Sequence, residues 1–338
     1  MKELAYVARV SRATVDRVLN NRGRVNQETA DRIRKLAESM GYQPNIAAKS
    51  LAVRHKNLKI GFIINRTGNI FFEDVIKGAK KAAAEESTFG ISVSIKYASQ
   101  GFGVQEQISL IDEFVDKGYG ALAITPINDQ LIGHKLNDII QNGIPVIAVT
   151  ADITNVDYLA YIGCNHEKSG RIAANLVSLI MHDSAHIAIV IGSRKMLGHA
   201  QRLHGFEEAI RQQFPDLKLV SIVENNDDDI TSYNRVTELI KQHPEIDMLY
   251  FATAGVEGGI RAIIDQEKVG AIKIISFDLT ECTRRYLKKG IVSAVLCQDP
   301  FAQGYKAIKL LSEKLLSNID PESTRLYTET SIYIKESL

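Results

Sequence analysis

Apolar positions recur at helical spacing over the first forty residues: Leu4, Ala5, Val7 and Ala8; then Val15, Val18 and Leu19; then Ile33, Leu36, Ala37 and Met40. Three short helices are predicted, with Ser11 as N-cap of the second, Asn26 capping the third and Gly41 as its stop. No β-branched alternation interrupts them, so this head is all-helical. Pro44 ends the unit, and Asn45 caps a segment at 46–53 that runs into the polar Arg54-His55-Lys56-Asn57. A helix that short is marginal alone in water and needs a partner surface to fold.

From Leu58 onward the pattern changes to short apolar runs separated by amphipathic stretches of ten to twenty residues. Strands are predicted at 59–64, 92–97, 121–125, 146–149, 187–191, 219–223, 248–252, 272–277 and 293–296. Such alternation indicates parallel sheets covered by helices on both faces. So many βα units exceed one ordinary doubly wound sheet, and two lobes are the natural packing. Ligands of open α/β sheets bind beyond the carboxyl ends of the strands, which directs attention to the residues just after them.

Length and composition fit this picture. The 338 residues suffice for two or three domains, and 45% hydrophobic residues can build a real core. No apolar run reaches membrane-helix length, and the charged N-terminus lacks the apolar stretch of a signal peptide; a cytoplasmic protein without membrane contact is expected. Cys164, Cys282 and Cys297 are far apart without a CxxC pair, so buried free thiols are expected rather than disulfides or zinc ligands. The net charge of +1 hides an asymmetry: residues 1–57 carry 12 Lys/Arg against 5 Asp/Glu, and the remainder 29 against 35. A basic head on a mildly acidic body points to a polyanion partner for the head.

The second predicted helix separates its faces. Val15, Val18 and Leu19 pack inward while Arg12, Ala13, Asp16 and Arg17 point out, as in a helix-turn-helix. Arginine can bridge guanine O6 and N7, and the Ala13 methyl can meet a thymine methyl. Ser11, Thr14, Asn20, Arg22, Arg24, Asn26 and Thr29 suit phosphate contacts that set register. The competing reading of this segment is a small helical bundle for protein contacts.

The segments ELAYVARVSRATVDRVLNNRGRV and ETADRIRKLAESMGYQPNIAAKSLA resemble the head of the lactose/galactose repressor family. The likeness continues through a body similar to a ribose-type periplasmic binding protein, type I. It implies a small all-α helix-turn-helix domain at 1–44, a hinge helix and linker at 45–57, and a two-lobed α/β ligand-binding and dimerisation domain at 58–338. Lobe 1 is expected at about 58–161 and 291–325, lobe 2 at about 162–290. One departure is Arg9, at a turn position where the family usually has Gly; a left-handed non-Gly residue costs about 1 kcal/mol. The first helix starts so near Met1 that the resemblance implies a few further residues ahead of it. In the implied hinge helix, Asn45 begins the segment, Lys49 and Arg54 meet phosphates, and Leu51 sits where the minor-groove wedge lies; an exposed apolar side chain there suits intercalation.

In the body, Asn69-Ile70-Phe71-Phe72 resembles the Asn-Pro-Phe-Phe segment whose aromatics stack on a sugar ring, and amides and carboxylates would take the hydroxyls. Asn128, in Thr125-Pro126-Ile127-Asn128, replaces a carboxylate of the family pattern. Arg202 matches the Arg-x-x-Gly-Phe signature, and Arg194 in the preceding loop is a further candidate. Ala252-Thr253-Ala254-Gly255 stands where many members have an Asn-Asp pair, which removes a polar contact and leaves Thr253. Asp278 follows a strand, and Gln298 matches the returning-strand Gln. Asp278 either reaches the ligand or caps the next helix, two roles that can coexist.

Catalytic signals fail. Gly101-Phe102-Gly103 lacks the third Gly of a dinucleotide fingerprint, and there is no phosphate loop, HExxH or GxSxG. His182, His186, His199 and His204 are expected at the surface or cleft edge. No catalytic residue, metal or cofactor is expected. The sequence therefore points to a dimeric, allosteric transcription regulator, repressor-like, that binds operator DNA and a sugar or sugar derivative. A dimer rather than a tetramer is expected, since no heptad repeat stands at the C-terminal end. Two alternatives remain open: a solute-binding protein of sugar transport or sensing, against which the basic head argues, and a sugar-converting enzyme, for which no acid/base pair can be placed.

Overall fold

The computed structural model describes residues 2–19, 25–40, 57–65, 70–98, 103–182 and 184–338. Among its described residues the head holds three helices, α1 (Lys2–Val7), α2 (Arg12–Leu19) and α3 (Gln27–Ser39). Leu4, Ala5, Ala8, Val15, Val18, Ala30, Ile33 and Ala37 close one buried cluster. Arg9 turns the chain between α1 and α2 with φ of 52°, the left-handed position anticipated there. The Ser11 hydroxyl accepts from Thr14 N at 3.1 Å, and the Asn26 carbonyl accepts from Glu28 N at 2.9 Å, so both expected caps are made. Two expected core residues are exposed instead. Val7 lies off the stripe shared by Leu4, Ala5 and Ala8, and Met40 follows the end of α3.

Two six-stranded sheets make the body. The first has the order β11-β5-β4-β3-β1-β2, built from β1 (Leu58–Asn65), β2 (Ile91–Ala98), β3 (Ala121–Ile124), β4 (Val146–Val149), β5 (Ala160–Gly163) and β11 (Arg325–Tyr327). All its pairs are parallel. The second repeats the plan as β12-β10-β9-β8-β6-β7, from β6 (Ala185–Ile191), β7 (Leu217–Glu224), β8 (Met248–Phe251), β9 (Lys273–Phe277), β10 (Ala294–Cys297) and β12 (Ser331–Tyr333). Only its β10–β12 pair is antiparallel. The strand order reverses direction between β1 and β3, and again between β6 and β8. These switch points open a crevice at the carboxyl edge of each sheet.

Helices cover both faces of each sheet. In the first lobe α4 (Phe71–Ser87) and α12 (Pro300–Ser317) close one core, while α5 (Val104–Asp116) and α6 (Gln130–Gln141) close the other. In the second lobe α7 (His166–Met181) and α8 (Leu197–Gln213) cover one face. The other face carries α9 (Asp229–Gln242), α10 (Val256–Asp265) and α11 (Glu281–Lys288). α7 and α8 touch through glycine: a Cβ on Gly170 would collide with Arg202 O, and one on Gly205 with Glu167 O.

The chain passes between lobes after β5, after β10 and between β11 and β12. These crossings are laced together. Thr328 N donates to Gly163 O at 2.8 Å, and the carbonyl of Gln298 accepts from Thr328 Oγ1 at 2.7 Å and Gln303 Nε2 at 2.8 Å.

The lobe boundary expected at residue 291 moves. Ala294–Cys297 pairs with β9, so lobe 1 regains the chain only after Cys297. Likewise Ile162 and Gly163 remain in the first sheet, beside β4 and β11. Three strands escaped the periodicity. β5 is four residues long with a tyrosine in it, and β11 and β12 are three-residue edge strands with exposed positions.

Candidate functional site

Helix α2 presents Ser11, Arg12, Ala13 and Arg17 to solvent on one side while Val15 and Val18 are buried on the other. Thr14 and Thr29 are half-buried and Asn26 is exposed. The hydroxyls of Ser11 and Thr14 lie 2.9 Å apart, so they hold each other as well as the helix start. Asn20, Arg22, Arg24, Asn45, Lys49, Leu51 and Arg54, together with the hinge segment 46–53, lie outside the described residues. Asn69 does as well.

The second lobe builds a polar floor at the carboxyl ends of its strands. Arg202, in α8, is buried; its Nη1 donates to Ala252 O at 3.2 Å and its guanidinium stacks 3.9 Å from the centroid of the Phe277 ring. Its Nε has no partner among the described residues although it is buried, a donor with unused capacity. One residue past β9, Asp278 takes a left-handed conformation with φ of 60°. Gln298, buried one residue past β10, donates its amide to both carboxylate oxygens at 3.1 and 3.0 Å. Burial pushes the Asp278 carboxyl up to about 6, against the opposing pull of Arg202 and Gln298. The capping role does not fall to Asp278. Thr280 caps α11, accepting from Thr283 N at 3.3 Å while Thr283 Oγ1 accepts from Thr280 N at 2.9 Å.

Thr253 follows β8 and is buried, its hydroxyl set between Asn225 Oδ1 at 3.2 Å and Asp227 Oδ1 at 2.5 Å. His199, expected at the surface or the cleft edge, is buried in the first turn of α8, beside Asp227 at the cleft. Its Nδ1 accepts from Ser193 N at 3.2 Å, which leaves the ring proton on Nε2, 4.0 Å from Asp227 Oδ1. Burial drives its pKa down to about 4, and Asp227 opposes the shift. Behind the floor, His166 is also buried, with Cys164 Sγ 3.1 Å from Nδ1 and Tyr161 Oη 3.4 Å from Nε2. Burial holds this imidazole well below its ordinary value. Cys164 is a buried free thiol as expected, whereas the free Cys282 and Cys297 are only half-buried.

The remaining expected ligand contacts separate. Phe71 belongs to the first lobe's core, and Phe72 meets it edge-on at 5.3 Å while staying half-buried. Neighbours on a helix point about 100° apart, so one enters the core and the other does not. Asn128 is exposed and turns its carbonyl to Thr154, accepting from N and Oγ1 at 3.1 Å each. Arg194 is exposed, 3.9 Å from Glu224. Arg202, Thr253, Asp278 and Gln298 thus gather on one floor. A cavity of about 110 Å³ opens beside it, lined by Ile70 from the first lobe and by Asp227, Thr253, Phe277, Asp278 and Thr280.

Asn225 and Asp227 were not foreseen from the sequence. Both lie just after β7 in a run of six polar residues, Glu224 to Asp229, where the carboxyl-end rule could have found them. Elsewhere Glu167, His204 and Glu208 bring ligand-type atoms within 4.8 Å of one another. Arg171 already lies among these carboxylates, at 2.7 and 3.5 Å.

Comparison with known proteins bears on both parts of the chain. Residues 1–45 match the model of bacterial regulatory proteins, lacI family, and residues 60–318 that of the periplasmic binding protein domain. The probable HTH-type transcriptional repressor ExuR of Bacillus subtilis is 28% identical over 222 residues, covering 64% of this chain and 62% of its own. The matched stretch likewise spans 61% of the HTH-type transcriptional regulator AscG of Escherichia coli. The ribose operon repressor of Haemophilus influenzae is 22% identical over 100% of this chain and 98% of its own. Among solved structures, the glucose-galactose binding protein GanP of Geobacillus stearothermophilus is 25% identical with a TM-score of 0.75, covering 83% of this chain and 99% of its own. A solute-binding protein of Actinobacillus succinogenes with bound D-allose has a TM-score of 0.76 at 19% identity, covering 83% of this chain and 98% of its own.

Proposed function

The chain belongs to the periplasmic binding protein domain family and carries the helix-turn-helix of lacI-family bacterial regulatory proteins at its N-terminus, and from that premise we propose that it is a ligand-responsive transcription regulator. It binds a palindromic operator as a cytoplasmic homodimer and takes a sugar or sugar derivative into the cleft of its body. It is a binder and not an enzyme. The observation that carries this reading is the union, in one chain, of an arginine-bearing helix facing solvent and a floor of hydrogen-bonding groups at the strand ends.

Arg12 and Arg17 reach base edges, Ala13 meets a thymine methyl, and Ser11, Thr14, Asn20, Arg24, Asn26 and Thr29 fix the helix on phosphates. The segment after Asn45 folds as a helix on the operator, where Lys49 grips phosphate and Leu51 wedges into the minor groove. In the body, Arg202, Thr253, Asp278 and Gln298 form the floor under the effector, and Asn69 and Phe72 close on it from the first lobe. The names of the ribose operon repressor and of the D-allose-bound neighbour support a monosaccharide-like ligand. A regulator also requires the ligand to prefer one lobe arrangement, because equal affinity for two arrangements shifts nothing.

Selection of duplexes from a random library by the full-length chain tests the head. Inverted repeats with at least about thousandfold preference over random duplex are expected. Recovery of duplexes without any shared sequence would leave the head a non-specific polyanion binder and refute the reading.

A further inference from the structure

The departure at Ala252-Thr253-Ala254-Gly255 removes the polar pair that the family resemblance would place after β8, yet the cavity beside it is not short of carboxylate. Asp227 enters from the loop after β7. Its Oδ1 accepts from Thr253 Oγ1 at 2.5 Å and from Ala254 N at 3.0 Å, and its Oδ2 has no partner among the described residues. Asn226 and Asp227 are both left-handed, with φ of 54° and 57°, a conformation that works against non-glycine residues. Asn225 stabilises it, accepting from Asp227 N at 3.0 Å. A Cβ on Gly192 would come within 2.8 Å of Asp227 Oδ1, so the carboxylate also fills space that a side chain after β6 would need.

Four acidic residues line the cavity, Asp227, Asp229, Glu257 and Asp278, and among the described residues no Lys or Arg does. Two of the four are committed elsewhere. Glu257 accepts from Arg285 at 2.7 Å, and Asp229 accepts from Gly258 N at 2.9 Å. Asp227 offers Oδ2, and Asp278, whose oxygens share the one amide of Gln298, keeps lone pairs for a further donor. Among the nearby described cations, Arg202 donates to Ala252 O and stacks on Phe277 while its Nε stays available, one guanidinium against two carboxylates, and Arg194 is exposed beside Glu224. His199, with its proton on Nε2, presents a neutral imidazole to Asp227.

We propose that Asp227 is a specificity-determining residue of the cleft, which together with Asp278 selects a neutral or amine-bearing polyhydroxylated ligand over one carrying carboxylate or phosphate. Hydroxyl and ammonium groups donate to these oxygens, whereas an anionic substituent would sit against two carboxylates in a site of reduced dielectric. The inference rests on the cleft reading above and adds to it the charge of the ligand.

The test is calorimetric titration of the full-length chain with D-ribose, D-arabinose, D-allose and D-glucosamine, and with the anionic D-glucuronate and D-ribose 5-phosphate. One or more of the first group should bind and neither anion should. Asp227→Asn should weaken the bound sugar about tenfold or more and narrow the gap to the anions. Asp227→Glu, which keeps the charge, should keep the discrimination, and melting of both ligand-free variants checks that they fold. An anion that binds the parent as tightly as its neutral counterpart overturns the inference, as does failure of every neutral and amino sugar to bind. Asp278→Asn, run alongside, separates the two levels. Loss of binding there with Asp227→Asn unaffected leaves the cleft standing and removes only Asp227. If neither variant changes affinity, the ligand binds elsewhere and both readings fall.

Discussion

The side-chain amide of Gln298 donates to both carboxylate oxygens of Asp278, at 3.1 and 3.0 Å, across the parallel pair β9–β10. The same glutamine offers its backbone carbonyl to Thr328, in the crossing between β11 and β12, and to Gln303, at the start of α12. A carboxylate on the cleft floor is therefore two bonds from the hinge. Any ligand that recruits Asp278 acts on a residue whose partner belongs to the joint between the lobes.

The Asp278 carboxyl, raised to about 6 by burial, makes stability and affinity depend on pH in opposite senses. Its folded pKa stands above the unfolded value, so the fold holds the proton more tightly and loses stability as pH rises from about 4 to about 6. Asp278→Asn should abolish that loss and raise ligand-free stability at neutral pH by about 1–2 kcal/mol, read by denaturant melts at pH 5 and 7.5. Sugar hydroxyls favour the ionised form, so ligand affinity in the parent should increase through the same window. A pH-independent difference between parent and variant would show that Asp278 ionises normally.

Arg202→Met keeps an unbranched apolar stem in place of a buried charge whose Nε has no partner among the described residues. Unfolding free energy at neutral pH should fall by about 3 kcal/mol or more, since removing one partner leaves the Asp278 carboxylate buried without its cation. Ligand affinity should fall at least about tenfold. Without the neighbouring cation, the Asp278 titration should move above 6. Unchanged affinity in calorimetry would place Arg202 outside the binding floor.

Gly170→Ala presses a methyl group into the carbonyl of Arg202. The close approach of α7 and α8 then has to open, and overpacking of this kind costs about 1–3 kcal/mol. Because the displaced backbone carries Arg202, ligand affinity should fall with stability. Thermal melts and calorimetry on the same sample read both, and a variant as stable as the parent would show that the helices separate freely.

In the head, Arg17→Ala should weaken binding to a selected operator by about 1–3 kcal/mol and binding to random duplex by far less. The side chain stands exposed on the outer face of α2, so folding should not change. Equal losses on both duplexes, measured by anisotropy at one salt concentration, would make Arg17 a phosphate contact.

The parts of this molecule that repeat a period were legible in the sequence. The head's core at Leu4, Val15, Val18 and Ile33 and nine of the body's strands follow from apolar spacing, because burial on one helix stripe or on both sheet faces leaves that pattern. The short strand β5 and the edge strands β11 and β12 leave no such trace, being set by neighbours distant in the chain. The site divides in the same way. Arg202, Asp278 and Gln298 stand at strand ends or in a recognisable motif. Asp227 stood in an acidic run that reads as solvated loop until Thr253 and Gly192 are brought beside it. Phe71 went the other way: its motif suggested a sugar contact, and its helical phase buries it.

The proposed regulation requires that one chain couple the cleft to the head. It is tested most directly by titrating the full-length protein against a selected operator duplex, with and without a saturating sugar that calorimetry has shown to bind. The sugar should change operator affinity of the parent at least about fivefold, the scale of ordinary allosteric coupling. Asp278→Asn should keep the sugar-free affinity and lose most of that response. Operator affinity that stays the same in the parent whether the cleft is empty or filled would contradict that coupling.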